Sequence, residues 1–287
     1  VGTKRNHSAV RNNRASTSGN LLAMQTLAVL MSVYHKVDPT EFAEALDSIF
    51  TQTRPADEVI LVKDGPLTDE LDAIIAGYGD ALTLVPLERN CGLGAALARG
   101  LEHVTAEYTA RMDTDDVSVP HRFETQLAWF ARHPETDALG AAMVEFTGDR
   151  ELGVRAMPEH AIEIQRYAKI NSPINHPTVM FRTQSVRDAG GYQPIKNLED
   201  YDLWARMLAL GMRLHNLQEP LVRFRLDDAV FSRRAQGMWE SEVELQRNLA
   251  AYGLISKKRG VFNLLVRTAY RAIPAGLVRR VYQTLFN

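Results

Sequence analysis

Asp113, Asp115 and Asp116 crowd together directly after residues 108–112, a short apolar run that reads as a buried strand. Bare carboxylates this close repel one another unless a cation sits among them, and hard oxygen donors at a strand end suit Mg²⁺ or Mn²⁺. Asp-rich turns also cap helices, so Asp116 has a second reading as the cap of a helix that begins near Pro120. Another acidic group, Glu199, Asp200 and Asp202, opens an amphipathic helix with Leu203, Trp204, Met207 and Leu210 on its apolar side. The helix dipole explains one or two carboxylates in a first turn. The third, Asp202, is assigned to chemistry. Residues 171–182 lie between the two groups. Pro173 and Pro177 exclude helix there, and His176 is a candidate contact for substrate or diphosphate.

These groups need a scaffold, and the apolar pattern supplies one. Leu27–Val33 is apolar throughout, as in a strand buried on both faces of a parallel sheet. Asp38 then caps a helix, with Pro39 at its first position, Glu41 completing a capping box, and Phe42, Leu46, Ile49 and Phe50 forming a stripe. The alternation continues with a strand at 58–63, a helix at 67–78, a strand at 82–86 and a helix at 93–104, before the strand that ends at Asp113. Four rounds predict βαβ units around a parallel sheet. Every distinctive polar cluster then follows a strand: Ser32 to His35, Asp64-Gly65, Arg89-Asn90 with Gly92, and the aspartates. Parallel strands would gather these clusters on one rim, where helix N-termini and Gly-rich turns favour a nucleotide. No P-loop follows the first strand, and Gly92-Leu93-Gly94 lacks the third glycine of a dinucleotide fingerprint.

At 287 residues, with 45% hydrophobic and 24% charged, the chain is of ordinary globular composition. Its net charge of −2 gives no reason to expect nucleic acid as a partner. The single Cys91 excludes an internal disulfide and fits a reducing, cytoplasmic compartment. No apolar run reaches the roughly 20 residues of a membrane span, and no secretory signal opens the chain. Residues 1–25 carry Lys4, Arg5, Arg11 and Arg14 without an acid and read as a disordered basic leader.

Val29-Leu30-Met31-Ser32-Val33-Tyr34, Ala45-Leu46-Asp47-Ser48-Ile49, Glu58 to Gly65, Asn90-Cys91-Gly92, Arg111 to Asp116 and Glu199-Asp200-Tyr201-Asp202-Leu203-Trp204 occur in the order seen in a known family. In these motifs the chain resembles the inverting nucleotide-sugar glycosyltransferases of family 2, and within them the branch that builds bacterial exopolysaccharides, capsules and O-antigens. The resemblance implies an α/β architecture of the GT-A type: a Rossmann-like, mostly parallel sheet flanked by helices, with a helical C-terminal extension. Residues 26–228 would form the catalytic domain, 26–120 binding the donor and 121–228 the acceptor, with 229–287 as the extension. The donor would be a nucleotide-diphosphate sugar, foremost a UDP-sugar, and the acceptor a glycan or lipid-linked sugar.

The same resemblance implies roles. Asp115 and Asp113 would hold Mn²⁺ or Mg²⁺. Ser32, Val33, Tyr34, Asp64, Asn90, Gly92, Arg111, Asp113 and Thr114 would line the donor site. Asp200, with Glu199 beside it, would be the base of a direct displacement, and His176 and Asp202 would contact acceptor or diphosphate. Like-charge repulsion from Glu199 and Asp202 would raise the proton affinity of Asp200. Lys63 stands where many relatives have an acid. A metal-dependent nucleotidyltransferase or phosphatase would need loop signatures this chain lacks; a non-catalytic sugar-nucleotide binding module is the other alternative. Residues 257–287 hold seven basic residues and no acid, interleaved with apolar ones. That stretch reads as peripheral membrane contact, as packing on the catalytic domain or as a homo-oligomer interface.

Overall fold

The computed structural model describes residues 25–226 and 238–272. The leader lies outside the described residues except for Gln25, which is buried with its amide donating to the Tyr108 hydroxyl at 3.4 Å. Strands β1 (Leu27–Val33), β2 (Glu58–Lys63), β3 (Thr83–Pro86) and β4 (Tyr108–Arg111) are all parallel, in the order β3-β2-β1-β4. The continuous apolar run of β1 arises because helices cover both faces. Leu27, Val29, Met31 and Val33 face Phe42, Leu46 and Ile49 of helix α1 (Pro39–Phe50). Ala28 and Leu30 face Leu97 and Leu101 of helix α3 (Leu93–Leu101) on the other side. Each buried Leu, Ile, Val or Phe contributes roughly 1.5–3 kcal/mol, so this register is strongly fixed.

Local signals set the helix ends. Asp38 caps α1 by accepting the Thr40 and Glu41 amides at 2.8 and 3.1 Å. Helix α2 (Asp69–Tyr78) starts later than residue 67 because Thr68 caps it, its hydroxyl accepting the Leu71 amide. Asp116 does not cap helix α4 (Arg122–Arg132), whose cap position is His121 without a side-chain bond. The carboxylate of Asp116 points elsewhere, as described below.

The sheet continues past residue 120 with mixed pairing. β5 (Val117–Ser118), β6 (Ala138–Thr147), β7 (Arg150–Arg155), β8 (Met180–Arg182) and β9 (Leu214–Arg225) give the order β4-β8-β6-β9-β5, with β7 beside β6. β8 runs antiparallel to β4, and β9 runs parallel to β6. Short helices α5 (Ala161–Tyr167) and α6 (Thr183–Asp188) fill the connections. Pro177, expected to exclude helix, lies inside a single 3-10 turn, His176–Thr178, because the start of a helical turn needs no proline amide.

Helix α7 (Glu199–Ala209) packs Leu203, Trp204 and Met207 under the sheet. Its other side, Tyr201 and Ala205, meets Leu245 and Leu249 of helix α8 (Met238–Ala251) and Ile255. Helix α9 (Lys257–Ala272) closes the described chain. It is tied down by Asn263, which donates to the Lys169 carbonyl at 2.9 Å, and by Arg267, which donates to the Ile170 carbonyl at 2.7 Å. The described part of the extension therefore packs on the domain; residues 273–287 lie outside it.

Candidate active site

The parallel strands deliver their polar ends to one rim. Gly65 follows β2 with φ +87°, and a Cβ there would stand 2.7 Å from the Asn90 nitrogen, so only glycine permits this approach. Asp64 accepts the Cys91 and Gly92 amides at 2.6 and 3.0 Å, which binds the β3–α3 loop to the end of β2. Asn90 adds a bond to the Asp64 carbonyl at 3.3 Å. Lys63 turns away to pair with Asp72 at 2.6 Å.

At the end of β4, one carboxylate oxygen from each of Asp113, Asp115 and Asp116 lies within 4.8 Å of the others. Asp116 is fully buried. Its Oδ1 accepts the Arg225 amide at 2.9 Å, while its Oδ2 is buried without a hydrogen-bond partner. Burial, reinforced by Asp113 and Asp115, pushes this carboxyl well above the usual range. An all-oxygen set with one orphaned buried oxygen fits a hard divalent cation.

Two buried guanidinium groups underlie the cluster. Arg111 forms a two-pronged ion pair with Asp113. Arg122 donates to the Arg111 carbonyl at 2.8 Å and the Val179 carbonyl at 3.3 Å, clamping β4 to β8. Burial and the neighbouring Arg111 lower Arg122 to about 9.

Glu199 and Asp200 open α7 on the same side. Asp200 is only half-buried, yet the protein around its carboxyl desolvates it enough to raise it, against the Tyr201 amide, the Ser172 hydroxyl and Arg111. The Ser172 hydroxyl donates to Asp200 Oδ2 at 3.0 Å. Burial, then repulsion by Asp200, lifts Glu199 to about 7. His176 shares a 3.1 Å hydrogen bond with the Tyr192 hydroxyl, and burial holds its imidazole well below its usual value, hence neutral. Tyr192 is raised by burial and feels Arg111, Asp200, Glu199 and Asp113 together. Arg111 thus joins the aspartate cluster to the Glu199–Asp200 pair in one electrostatic unit. Close packing assists: a Cβ on Gly94 of α3 would meet the Gln193 carbonyl at 2.6 Å and Glu199 Cβ at 3.0 Å.

Several sequence assignments change. Asp202 faces away from the site: it is fully buried, with Oδ2 accepting Arg206 Nε at 2.8 Å and Oδ1 accepting Asn248 and Tyr252 at 3.0 Å. It anchors α8 to α7, its carboxylate taken up by these three donors and not turned to the rim. It is also absent from the causes that raise Asp200, where desolvation comes first. Val33, Asp64, Arg111 and Thr114 are buried, so their side chains shape the rim from beneath, whereas Ser32, Tyr34, Asn90, Gly92 and Asp113 keep exposed surface there. The sequence reading did not single out Ser172, Tyr192, Arg122 or Arg225. Arg225, at the end of β9, donates to the Asp115 carbonyl at 2.9 Å and pairs with Glu44 at 2.5 Å, strapping the aspartate loop to α1. Ser172 and Tyr192 flank motifs already noted, and a chain turn was the only hint of either.

The profile of glycosyl transferase family 2 matches residues 28–190. The amylovoran biosynthesis glycosyltransferase AmsE of Erwinia amylovora is 39% identical over 259 residues, covering 89% of this chain and 97% of that protein. A UDP-Gal:alpha-D-GlcNAc-diphosphoundecaprenol beta-1,3-galactosyltransferase of Escherichia coli is 33% identical, covering 91% and 96%. Among solved structures, S. aureus TarS 1-349 in complex with UDP-GlcNAc superposes with a TM-score of 0.65 at 19% identity, covering 83% of this chain and 70% of that one. The profile spans more than half of the sequence and both relatives match along almost their whole lengths, so the chain belongs to glycosyltransferase family 2, with the GT-A fold.

Proposed function

We propose that the chain transfers a sugar, with inversion, from a UDP-sugar to a hydroxyl of a lipid-linked glycan during bacterial surface-polysaccharide assembly, at the inner face of the plasma membrane. The observation that carries this reading is the convergence of a three-carboxylate cation site and a separately held, desolvated carboxylate around one buried arginine. The two relatives named above support the class of donor and acceptor. A divalent ion held by Asp113, Asp115 and Asp116 would neutralise the donor diphosphate and the charge that grows on it as it leaves.

The chain's own groups do the rest. Ser32, Tyr34 and Asn90 bound the nucleoside side of the rim, because the Asp64 carboxylate is already committed to loop amides. Asp200 accepts the proton of the acceptor hydroxyl; the acceptor oxygen bonds to the anomeric carbon as the bond to the diphosphate oxygen breaks on the opposite face. Ser172 fixes the rotamer of that base through its bond to Oδ2. No general acid is needed, since the leaving diphosphate departs as an anion matched by the cation. Neutral His176 and Tyr192 supply hydrogen bonds without adding charge.

Asp200→Asn keeps the shape and removes the base. Turnover of a UDP-sugar should fall roughly 10²–10⁴-fold, with UDP affinity nearly unchanged. An equal loss of UDP affinity would recast Asp200 as a binding residue, and unchanged turnover would end the assignment.

A further inference from the structure

Helix α9 is buried on one side only. Gly260 and Asn263 face the domain, where Asn263 and Arg267 hold the carbonyls of Lys169 and Ile170. With 3.6 residues per turn, the opposite side carries Val261, Phe262, Leu265 and Val266, which are 58, 55, 65 and 50% exposed. Isolated apolar side chains on a surface need no explanation, but four on one helix face form a contiguous patch of the kind that marks an interaction surface. Lys257, Lys258 and Arg259 stand exposed at its N-terminal end.

We propose that this outward face of α9 docks on an anionic lipid bilayer; the proposal rests on the lipid-linked acceptor reading above. Charge selects the occupant. The charged side chains exposed on this helix, Lys257, Lys258 and Arg259, are all basic, so a second copy of this face would bring like charges together. An apolar strip on a helix that carries cations and no acid matches an acyl boundary beneath phosphate headgroups. The contact is peripheral: among the described residues no helix is long and apolar enough to cross a membrane. Position agrees with the chemistry. Arg267 holds the carbonyl of Ile170, itself 52% exposed, and two residues further on Ser172 holds Asp200. A bilayer against α9 therefore lies beside the loop that orients the base.

The test is co-sedimentation of the full chain with vesicles of pure phosphatidylglycerol or pure phosphatidylcholine, at low and high salt. The full chain should pellet with phosphatidylglycerol only, and salt should release it, at about fivefold in partitioning for each basic side chain engaged. Phe262→Glu with Leu265→Glu should cut partitioning roughly tenfold or more, with the unfolding midpoint unchanged. If that midpoint falls, Lys257→Glu with Lys258→Glu, two exposed positions, carries the test through the salt dependence. Three results overturn the proposal: no binding to phosphatidylglycerol at low salt, equal binding by the variants, or a dimer in sedimentation velocity that Phe262→Glu/Leu265→Glu dissociates. UDP affinity is titrated without vesicles, so a failure of the donor reading registers separately.

Discussion

Replacing Asp202 by Ala separates an anchoring role from a catalytic one. The side chain is 0% exposed and accepts three bonds, from Arg206 Nε at 2.8 Å and from Asn248 and Tyr252 at 3.0 Å. Removing one partner of a buried ion pair costs about 3–5 kcal/mol. Each neutral donor left without an acceptor adds about 1–3 kcal/mol unless water reaches it. Arg206 keeps its bonds to the Ala189 and Gly191 carbonyls, and Tyr252 lies near the surface, so relaxation recovers part of this cost. The expected loss is about 4–6 kcal/mol, comparable with the whole stability of many domains, roughly 5–15 kcal/mol. Asp202→Asn keeps an acceptor for Asn248 and Tyr252 and should lose only about 1.5–3 kcal/mol, the worth of a charged hydrogen bond. Urea unfolding followed by circular dichroism measures both values, while UDP titration of the folded fraction should show near-normal affinity. A variant as stable as the parent that has lost turnover would return Asp202 to the active site and refute the reasoning.

Asp116→Asn should weaken Mn²⁺ binding by at least about tenfold in titration calorimetry while leaving the fold intact, because Oδ1 can still accept the Arg225 amide and only the unpartnered Oδ2 changes. Unchanged Mn²⁺ affinity, together with turnover indifferent to a chelator, would remove the cation from the site. The Glu199–Asp200 pair, facing Arg111, Tyr192 and Ser172, should give kcat/KM a limb that rises with pH above the ordinary carboxylate range, because burial raises Asp200 and, with repulsion from Asp200, lifts its neighbour Glu199 to about 7. The sign follows from a base that works ionised while desolvation favours its protonated form. Glu199→Gln should move that limb to lower pH, and a parent limb at the ordinary carboxylate value of about 4 would contradict the desolvation argument. Gly94→Ala forces a methyl against the Gln193 carbonyl and Glu199 Cβ, and should cost roughly 1–3 kcal/mol in thermal unfolding together with a fall in turnover. A neutral outcome would mean that α3 and α7 are not fixed by that contact.

Legibility in the sequence tracked the range of the interaction. β1 and β2 were readable because burial on both faces leaves continuous apolar runs, and α1 because Asp38 and Pro39 mark its start within a few residues. Parallel strands then put Ser32, Asp64, Asn90 and Asp113 on one rim by topology alone. Asp202 was misread because its partners Asn248 and Tyr252 are more than forty positions away, and a third acid in a helical turn carries no mark of which way it faces. Arg225 was invisible for the same reason: its bonds reach back more than a hundred positions to Asp115 and Asp116. β8 and the 3-10 turn at His176–Thr178 are too short for any period to register.

The charges at the rim also bear on the order of binding that the proposed function requires. Among the described residues, Asp113, Asp115, Asp116, Glu199 and Asp200 lie near the guanidinium groups of Arg111, Arg122 and Arg225, which are already committed to Asp113, to main-chain carbonyls and to Glu44. A diphosphate approaching such a rim alone meets repulsion in a partly desolvated setting, where each charge pair weighs more than in water. A divalent cation held there would reverse the sign at the aspartates and would leave the proposed base unneutralised, because Asp200 is held by Ser172 and not by the cluster. On the proposed function, the cation would therefore precede the donor. Separating the two acidic groups keeps the base from being consumed by the same charge that binds the substrate.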